Sequence, residues 1–285
     1  MSDKDGVVNT LLDKSRLRPI DYPNLTRLGP KGDGGYVVPR DQINDCELLI
    51  SLGLSDNWAF DKEFLAINST AKIIGVDHTI GPCWFLRRIL VYFWKLILYS
   101  SINNHQKRDK YFAKLRNSIG YFSFFKEPHI HLKKRISTRN GKSDISLGQI
   151  LGSNFTQHAY HDVFLKMDIE GAEYETVPNI VLYQNRIRCI AAEFHDIDKK
   201  TSDFNKCMKS LSQHFSVVHI HGNNGAGYDH INDFPSVLEI TFINKSLLNR
   251  EFSFSTSEYP REGLDFPNNP AVPDFGLHFE QTVHD

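Results

Sequence analysis

Short, buried apolar runs alternate along the chain with segments of helical periodicity, a pattern that predicts a parallel α/β sheet. The predicted strands cover 47–53, 71–77, 129–134, 162–168, 188–195, 215–222 and 235–244. Helices are predicted over 56–68, 143–152, 173–185 and 202–214, the second with Ser143 or Asp144 as its N-cap. The last strand alternates apolar and polar residues, so we expect it to pair antiparallel with its predecessor. The pattern predicts one α/β domain over 1–285, with a seven-stranded, mostly parallel sheet and helices on both faces.

An insertion over 81–126 separates the second and third predicted strands and is much longer than a crossover connection needs. Its first half is apolar, and the whole insertion carries nine Lys/Arg residues against one acid, Asp109. A polar stripe at helical spacing crosses the apolar half and consists of Arg88, Tyr92, Lys95 and Tyr99. Three central cations argue against a helix that spans a bilayer.

Two placements of this basic, apolar helical insertion remain open. It could pack as a helix against the sheet or a second subunit, which is the commoner arrangement of one apolar helix. It could instead lie in a membrane interface, with Trp84 and Trp94 as anchors. We therefore expect either peripheral membrane contact or self-association through 81–126.

The ends of the chain, its charge and its cysteines narrow the class of protein. The start MSDKDGVVNTLLDKS lacks a basic region followed by an apolar run, which predicts a cytoplasmic protein, with peripheral attachment to the inner face of the membrane as an option. A formal net charge of −1 gives no reason to expect a nucleic-acid partner. Four scattered cysteines without CxxC spacing are typical of reduced core thiols. The proline-containing segment 250–285 predicts an irregular cover over the sheet.

Acidic, histidine and amide side chains follow several predicted strands where each strand ends. In an open α/β sheet, ligands bind outside the carboxyl ends of the strands. The residues delivered there are Asp77, His78, Asp168, Glu170, Glu193, His195, His219, His221, Asn223 and Asn224. Their coincidence at one edge predicts a functional site.

Asp77 ends the second strand, where one carboxylate can accept hydrogen bonds from both hydroxyls of a ribose. The loop after the first strand contains Gly53 but no GxGxxG, and the chain lacks GxxxxGK[ST], so a phosphate cradle is not supported. The pattern favours a nucleoside without phosphates, and S-adenosylmethionine (SAM) fits it. Carboxylates beside its sulfonium cation are electrostatically favourable.

The stretch FLKMDIEGAEYE, residues 164–175, resembles the signature of the FkbM-type SAM-dependent methyltransferases. Its residues match the pattern K-x-D-x-E-G-x-E at Lys166, Asp168, Glu170, Gly171 and Glu173. The resemblance extends over about 48–195, and KGDGGYVVP at 31–39 is similar to the N-terminal stretch of a subgroup of that family. It implies a Rossmann-like sheet of the class I methyltransferase type and methyl transfer from SAM to an oxygen, often on a sugar.

These considerations yield a set of candidate site residues. The expected cofactor-binding residues are Asp33, Gly34, Gly35, Ser51, Gly53, Asp77, His78 and Asp168. The expected catalytic residues are Asp168, Glu170, His195 and His221, with the histidines as bases for a hydroxyl proton. Asp168, Glu193 and His195 also make a candidate Mg²⁺ or Mn²⁺ site. Asn223 and Asn224 either read sugar hydroxyls or make a turn. Glu173 and Glu175 are assigned to a helix start, where acids complement the helix dipole.

The acceptor expected from the resemblance is the hydroxyl of a saccharide or glycan, and two other functions stay open. Asp168-Ile169-Glu170 imitates the D-x-D pair with which a metal-dependent glycosyltransferase would hold Mn²⁺ and a sugar diphosphate. A non-catalytic module would instead keep the fold and use the basic insertion to dock on a membrane or a partner.

Overall fold

The computed structural model describes residues 10–152 and 160–280. Its strands are β1 (Leu25–Leu28), β2 (Tyr36–Pro39), β3 (Leu48–Leu52), β4 (Lys72–Val76), β5 (Ile130–Leu132), β6 (Arg135–Ile136), β7 (Asp144–Ile145), β8 (Val163–Met167), β9 (Ile187–Phe194), β10 (Phe215–Gly222), β11 (Tyr228–Asp229), β12 (Phe234–Pro235) and β13 (Leu238–Asn244). Its α-helices are α1 (Arg40–Asn44), α2 (Ala59–Ile67), α3 (Pro82–Ser101), α4 (His105–Phe124), α5 (Leu147–Leu151), α6 (Glu173–Leu182) and α7 (Thr201–Leu211).

The central sheet has seven strands in the order β10-β13-β9-β8-β3-β4-β5. The pairs among β9, β8, β3, β4 and β5 are parallel, whereas β13 runs antiparallel to both of its neighbours. This arrangement confirms the predicted Rossmann-like sheet of the class I methyltransferase type. The chain moves outward in one direction through β3, β4 and β5 and in the other through β8 and β9. The carboxyl ends of β3 and β8 therefore flank the switch point at which such sheets bind ligands.

The sheet is stable because its central strands bury both faces. Every residue of β3 and of β8 is buried, as expected for parallel strands covered by helices on each side. Alternate side chains enter two cores: Leu48, Ile50 and Leu52 point into one, and Leu49 points into the other with Phe164. Burying each large aliphatic side chain contributes about 1.5–3 kcal/mol, so these strands hold their ends in fixed positions.

A β-hairpin of β1 and β2, which the pattern did not predict, precedes the first central strand. It packs on the antiparallel side of the sheet, where the hydroxyl of Thr241 donates a hydrogen bond of 2.7 Å to the carbonyl of Val37. This hairpin brings Tyr36 and the KGDGG turn to the carboxyl edge of the sheet.

The N-cap predicted for the 143–152 helix is wrong. Asp144 lies in β7, which pairs with β6, and its carboxylate forms an ion pair of 2.8 Å with Arg135. The helix α5 begins after Ser146, whose hydroxyl accepts a hydrogen bond of 3.1 Å from the amide of Gln149. Because residues 144–145 pair with β6, the helix begins later than predicted and Ser146 is its N-cap.

The insertion folds as two antiparallel helices, α3 and α4, of which only the base packs on the rest of the molecule. Over its 20 residues, α3 buries only Phe85 and Tyr92. Phe85 stacks on Tyr121 and meets the ring of Trp58 edge-on at the base. The expectation that α3 is buried against the sheet is therefore wrong for most of its length. In the described ranges, no helix combines the length and apolarity needed to cross a bilayer.

Residues 250–280 form no helix and no regular strand apart from a single bridge of Phe254 to Ile20. Buried histidines of β10 hold this segment in place. His219 pairs with Asp265 at 2.8 Å, and His221 pairs with Asp274 at 2.8 Å and with Glu239 at 3.2 Å. The segment is thus attached to the sheet mainly by buried charges and amide contacts rather than by secondary structure.

His221 is held as a buried cation by this arrangement. Burial alone would lower the pKa of His221, but its hydrogen bonds to Asp274 and Glu239 outweigh burial and raise it to about 10. Burial would likewise raise the pKa of Asp265, yet the hydrogen bond from His219 lowers it. Removing one partner of such a network leaves an uncompensated buried charge.

We expect His221→Gln to lower the free energy of unfolding by roughly 3–5 kcal/mol at pH 6, because two carboxylates lose their cation. The pKa of His221 is about 10 in the folded state and about 6.5 in the unfolded state, so this stabilisation is complete below pH 6.5 and disappears as the pH rises through 10. Urea unfolding at several pH values, with the exposed His105→Gln as control, measures the difference. A difference between wild type and variant that stays constant from pH 6 to 10.5 would contradict the assignment.

Candidate active site

The main cavity at the carboxyl edge has a volume of about 510 Å³, within the usual range for small-molecule sites. It opens between the ends of β3, β4 and β8, at the switch point of the sheet. Its walls are formed by Gly53, Ser55, Val76, Asp77, His78, Thr79, Lys134, Arg135, Ile136, Asp168, Ile169, Glu170 and Ala172. Asp77 and Asp168 therefore face one cavity, as a shared cofactor site requires.

Gly53 permits the close approach of β3 to the end of β8. It has a φ of +79°, and a Cβ atom at this position would lie 1.6 Å from the carbonyl oxygen of Asp168. A side chain would therefore push the two strand ends apart. Gly53 lines the cavity by its backbone.

Asp77 lines the cavity but is already fully hydrogen-bonded. One carboxylate oxygen accepts hydrogen bonds from the amides of Leu54 and Ser55, and the other accepts from the amide and hydroxyl of Thr79. Burial alone would raise the pKa of Asp77, but these hydrogen bonds outweigh it and lower the pKa. Asp77 thus fixes the β3 loop as an anion, and a ribose hydroxyl would have to compete with one of these four donors.

Asp168 stands between the cavity and a buried polar cluster. The hydroxyl of Tyr36 donates a hydrogen bond of 3.3 Å to its Oδ2. Lys166, only 5 % exposed, donates to the carbonyl of Gly53 at 3.2 Å and lies over the ring of Tyr36. The lysine of the signature therefore sits beneath the site as a positive charge and does not reach the cavity.

The ends of β8 and β9 bring together a carboxylate–histidine cluster, which we define as Asp168, Glu193 and His195. One ligand-type atom from each of the three lies within 4.8 Å of the others. Nε2 of His195 is 3.8 Å from Oε2 of Glu193, and the side-chain amide of Asn223 donates 2.8 Å to Oε1 of the same glutamate. Glu193 is only 4 % exposed.

Glu173 starts a helix, as predicted, and its side chain also contacts the carboxylate–histidine cluster. It is the first residue of α6 and is fully buried. Its Oε1 accepts hydrogen bonds from the amides of Ile169 and Gly171, at 3.2 and 3.1 Å, and lies 3.1 Å from Nδ1 of His195. Glu173 therefore orients the imidazole so that Nε2 points toward the cluster, as the acid does in a catalytic triad.

The carboxylate–histidine cluster binds protons more tightly than its isolated side chains would. Burial, reinforced by the charges of Asp168 and Glu239, raises the pKa of Glu193. Burial alone would lower the pKa of His195, but Glu173, Glu193 and Asp168 outweigh it and raise the pKa. Such a cluster has excess negative charge, so it favours a cationic ligand.

A smaller cavity of about 280 Å³ adjoins His195 on the side away from β4. It is lined by Asp33, His195, Asn223, Gly225, Ala226, Val237 and Asn268. Carboxylate, amide and imidazole groups can all form hydrogen bonds with hydroxyls, so this lining suits a ligand that carries hydroxyl groups. Asp33 thus lies beside this cavity rather than in the larger one, to which sequence reasoning assigned it.

Several other predicted site residues do not reach the larger cavity. Ser51 is fully buried inside β3, and neither Gly34 nor Gly35 lines the cavity. Gly35 instead packs against Arg27 and the carbonyl of Pro30 within the hairpin turn. A Cβ on Gly34 would meet the side-chain amide of Asn57 at 3.3 Å, so the turn lies against the loop that follows β3.

His221 and Asn224 have structural roles. His221 is 1 % exposed and paired with two carboxylates, so its assignment as a catalytic base is wrong. The side-chain amide of Asn224 donates to the carbonyls of Asn269, Val272 and Pro273, which clips the C-terminal segment to the sheet.

The predicted residues His78 and Glu170 lie at the rim. Both line the larger cavity, and the Glu170 side chain is 86 % exposed. Oε2 of Glu170 is 3.6 Å from Nε2 of His195, so this exposed carboxylate adds negative charge beside the cluster.

Sequence reasoning missed Tyr36, Glu239 and Asn268. Tyr36 directly follows the Gly-Gly pair of the KGDGG turn, and burial together with Asp168 raises its pKa. Glu239 is the one acid in the fully buried β13, and the side-chain amide of Asn268 donates 2.8 Å to its Oε1. A lone acid inside a buried strand is the signal that could have identified Glu239.

Some solved structures are similar to this chain at low sequence identity. No protein-family model and no curated protein sequence matches the chain. Among solved structures, a fibrillarin/Nop5p complex is similar with a TM-score of 0.35 and 9 % identity over 70 % of this chain and 72 % of that one. A precorrin-6y C5,15-methyltransferase from Geobacter metallireducens GS-15 is similar with a TM-score of 0.34 and 11 % identity over 72 % of this chain and 86 % of that one. Likeness at this level does not identify an activity.

Proposed function

We propose that the protein is a SAM-dependent O-methyltransferase that methylates a hydroxyl of a saccharide or glycan. The observation that carries the proposal is the position of Asp168. It lies in the signature that resembles the FkbM-type methyltransferases, lines the 510 Å³ cavity, and belongs to the carboxylate–histidine cluster. A methyl donor in the cavity would therefore stand next to groups that can handle an acceptor proton.

The larger cavity suits SAM in shape and charge. Its apolar wall of Val76, Ile136 and Ile169 can pack on a purine, and Asp77 stands at the strand end where a ribose hydroxyl would replace one of its four donors. Asp168 and Glu170 supply negative charge for the sulfonium. Nothing in this lining resembles a glycine-rich phosphate cradle, which favours SAM over a dinucleotide.

The smaller cavity provides the acceptor side. A hydroxyl bound there would meet His195, and a hydroxyl is a weak nucleophile until it loses its proton. Nε2 of His195, oriented through Glu173, is the group placed to take that proton. The positive charge of a bound sulfonium favours the neutral imidazole, so cofactor binding would precede proton transfer.

The same cluster also fits a divalent cation. Asp168, Glu193 and His195 offer two carboxylate oxygens and one imidazole nitrogen, a donor set suited to Mn²⁺ or Mg²⁺. The near-complete burial of Glu193, whose Oε2 lies 3.8 Å from Nε2 of His195, supports this assignment. An ion there would stabilise an acceptor alkoxide by its charge. Because Nε2 of His195 cannot bind both an ion and a proton, the two uses exclude each other.

A glycosyltransferase of the D-x-D type is less well supported. In such an enzyme Asp168 and Glu170 would hold one ion together, but Glu170 is mostly exposed at the rim, and the described cluster pairs Asp168 with Glu193 and His195 instead. Thermal shift with UDP-glucose plus Mn²⁺, compared with SAM, separates the two functions. A shift with the nucleotide sugar and none with SAM would favour the glycosyltransferase.

Asp168→Asn should weaken SAM binding only about three-fold while reducing methyl transfer by a factor of about 10² or more, because the carboxylate acts mainly on the reacting groups. Isothermal titration measures SAM affinity, and S-adenosylhomocysteine release with a panel of methyl glycosides and oligosaccharides measures transfer. Asp198→Asn, an exposed acid of the loop after β9, is the matched control. Equal losses of binding and transfer would limit Asp168 to binding, and no SAM binding by the wild type would refute the proposed function.

Mn²⁺ should bind the wild-type protein with one site and should bind Glu193→Gln at least about ten-fold more weakly, since a buried carboxylate ligand is lost. Electron paramagnetic resonance of free Mn²⁺ measures binding without any acceptor. Glu258→Gln, at an exposed acid, is the control. Unchanged binding by Glu193→Gln, or none by the wild type, would remove the ion and leave His195 as the base.

A further inference from the structure

The α3–α4 hairpin has its polar stripe inside and its apolar side chains outside. The stripe of α3 faces α4: the ring of Tyr99 stacks on Tyr111 with centroids 5.3 Å apart, and Tyr92 lies 5.9 Å from the same ring. Lys95 donates 3.3 Å to the hydroxyl of Tyr111, and Lys107 and Lys114 lie over Tyr99 and Tyr92. These tyrosine and lysine side chains therefore contact one another between the two helices.

The opposite side of α3 is apolar and open. We define the α3 apolar face as the exposed residues Leu86, Leu90, Val91, Phe93, Trp94, Ile97 and Leu98. Several of these follow the spacing i, i+4, i+7 and i+11, which places them along one side of the helix. Trp94 is 67 % exposed and Leu90 62 %, and α4 adds Phe112, Ile119 and Phe122. Exposed apolar side chains clustered along one side of a helix mark an interaction surface.

The hairpin is also strongly basic. Residues 81–126 carry nine Lys/Arg residues and one acid, so their formal charge is +8 and that of the rest of the chain is −9. The acid, Asp109, is already paired with Arg108 at 2.9 Å. Unlike the chain as a whole, the hairpin therefore presents a concentrated positive field beside its apolar face.

The charge of the hairpin indicates which kind of partner covers the α3 apolar face. A second copy of the chain would bring one +8 hairpin against another, and the repulsion would oppose burial of the apolar side chains. An anionic bilayer surface complements both properties at once, because lipid tails take the apolar residues and headgroups take the cations. Exposed tryptophan is the residue type that anchors such helices at the headgroup level.

We propose that the α3–α4 hairpin docks the protein on anionic membranes, with α3 lying in the plane of the interface. The hairpin leaves the sheet just after Thr79, which lines the larger cavity, so docking would hold that edge of the protein at the bilayer. The proposal concerns binding alone and does not depend on the proposed methyl transfer.

Flotation of the full-length protein tests the proposal, with vesicles of phosphatidylcholine alone or with 30 % phosphatidylserine. The wild type should float with the anionic vesicles at least about ten-fold better than with the neutral ones, and 0.5 M salt should weaken this binding. The triple variant Leu90→Ser, Trp94→Ser, Leu98→Ser should lose at least about ten-fold in partition. The matched control is Leu182→Ser, Ile231→Ser, Val272→Ser, which removes exposed apolar residues outside the hairpin and should float as the wild type does.

Circular dichroism and thermal melting confirm that both triple variants keep the wild-type fold. The proposal is overturned if the wild type does not float with anionic vesicles, or if the hairpin variant floats as well as the control. Sedimentation velocity supplies the other outcome: a wild-type dimer that the hairpin variant converts to monomer, without flotation of either, would show that a second copy covers the α3 apolar face.

Discussion

The close contact of Gly53 with the backbone of Asp168 sets the geometry on which the candidate site depends. The amide of Asp168 donates a hydrogen bond of 2.9 Å to the carbonyl of Leu52. Because Gly53 has no Cβ, the carbonyl oxygen of Asp168 can lie directly beside it. Both strands are buried along their full length, so neither end can shift to relieve a clash. This constraint holds the Asp168 carboxylate in the wall of the larger cavity and beside Glu193 and His195, and every proposed role of Asp168 follows from that position.

The site contains several acids, whose negative charges are compensated to different extents. Some acids are neutralised by fixed partners: Asp77 by amides and a hydroxyl, and Glu239 by His221 and Asn268. Glu193 is nearly buried, and burial together with the charges of Asp168 and Glu239 raises its pKa. A protein gains nothing in stability from such a group. Its retention is understandable if a cationic ligand, whether a sulfonium or a metal ion, provides the missing charge.

The sheet could be predicted from the sequence because buried parallel strands leave a clear apolar signal, and the acids at their ends follow by topology. Side-chain roles could not, since they depend on contacts between distant segments. His221 and His195 look alike as histidines at strand ends, yet Asp274 binds the first and Glu173 orients the second. The apolar half of the insertion predicted a helix correctly, but periodicity alone does not reveal that the tyrosine stripe faces inward.

The attachment of the C-terminal segment affects how the molecule is made. Residues 265–274 supply the partners of His219 and His221 and the clip to Asn224, and they are synthesised after every strand of the sheet. While the ribosome is still adding this segment, Glu239 of β13 is already available to His221, but Asp265 and Asp274 are not yet present. The central strands can pair at that stage, yet the smaller cavity lacks one of its lining residues until Asn268 is added. The smaller cavity is therefore completed only after every strand of the central sheet has been synthesised.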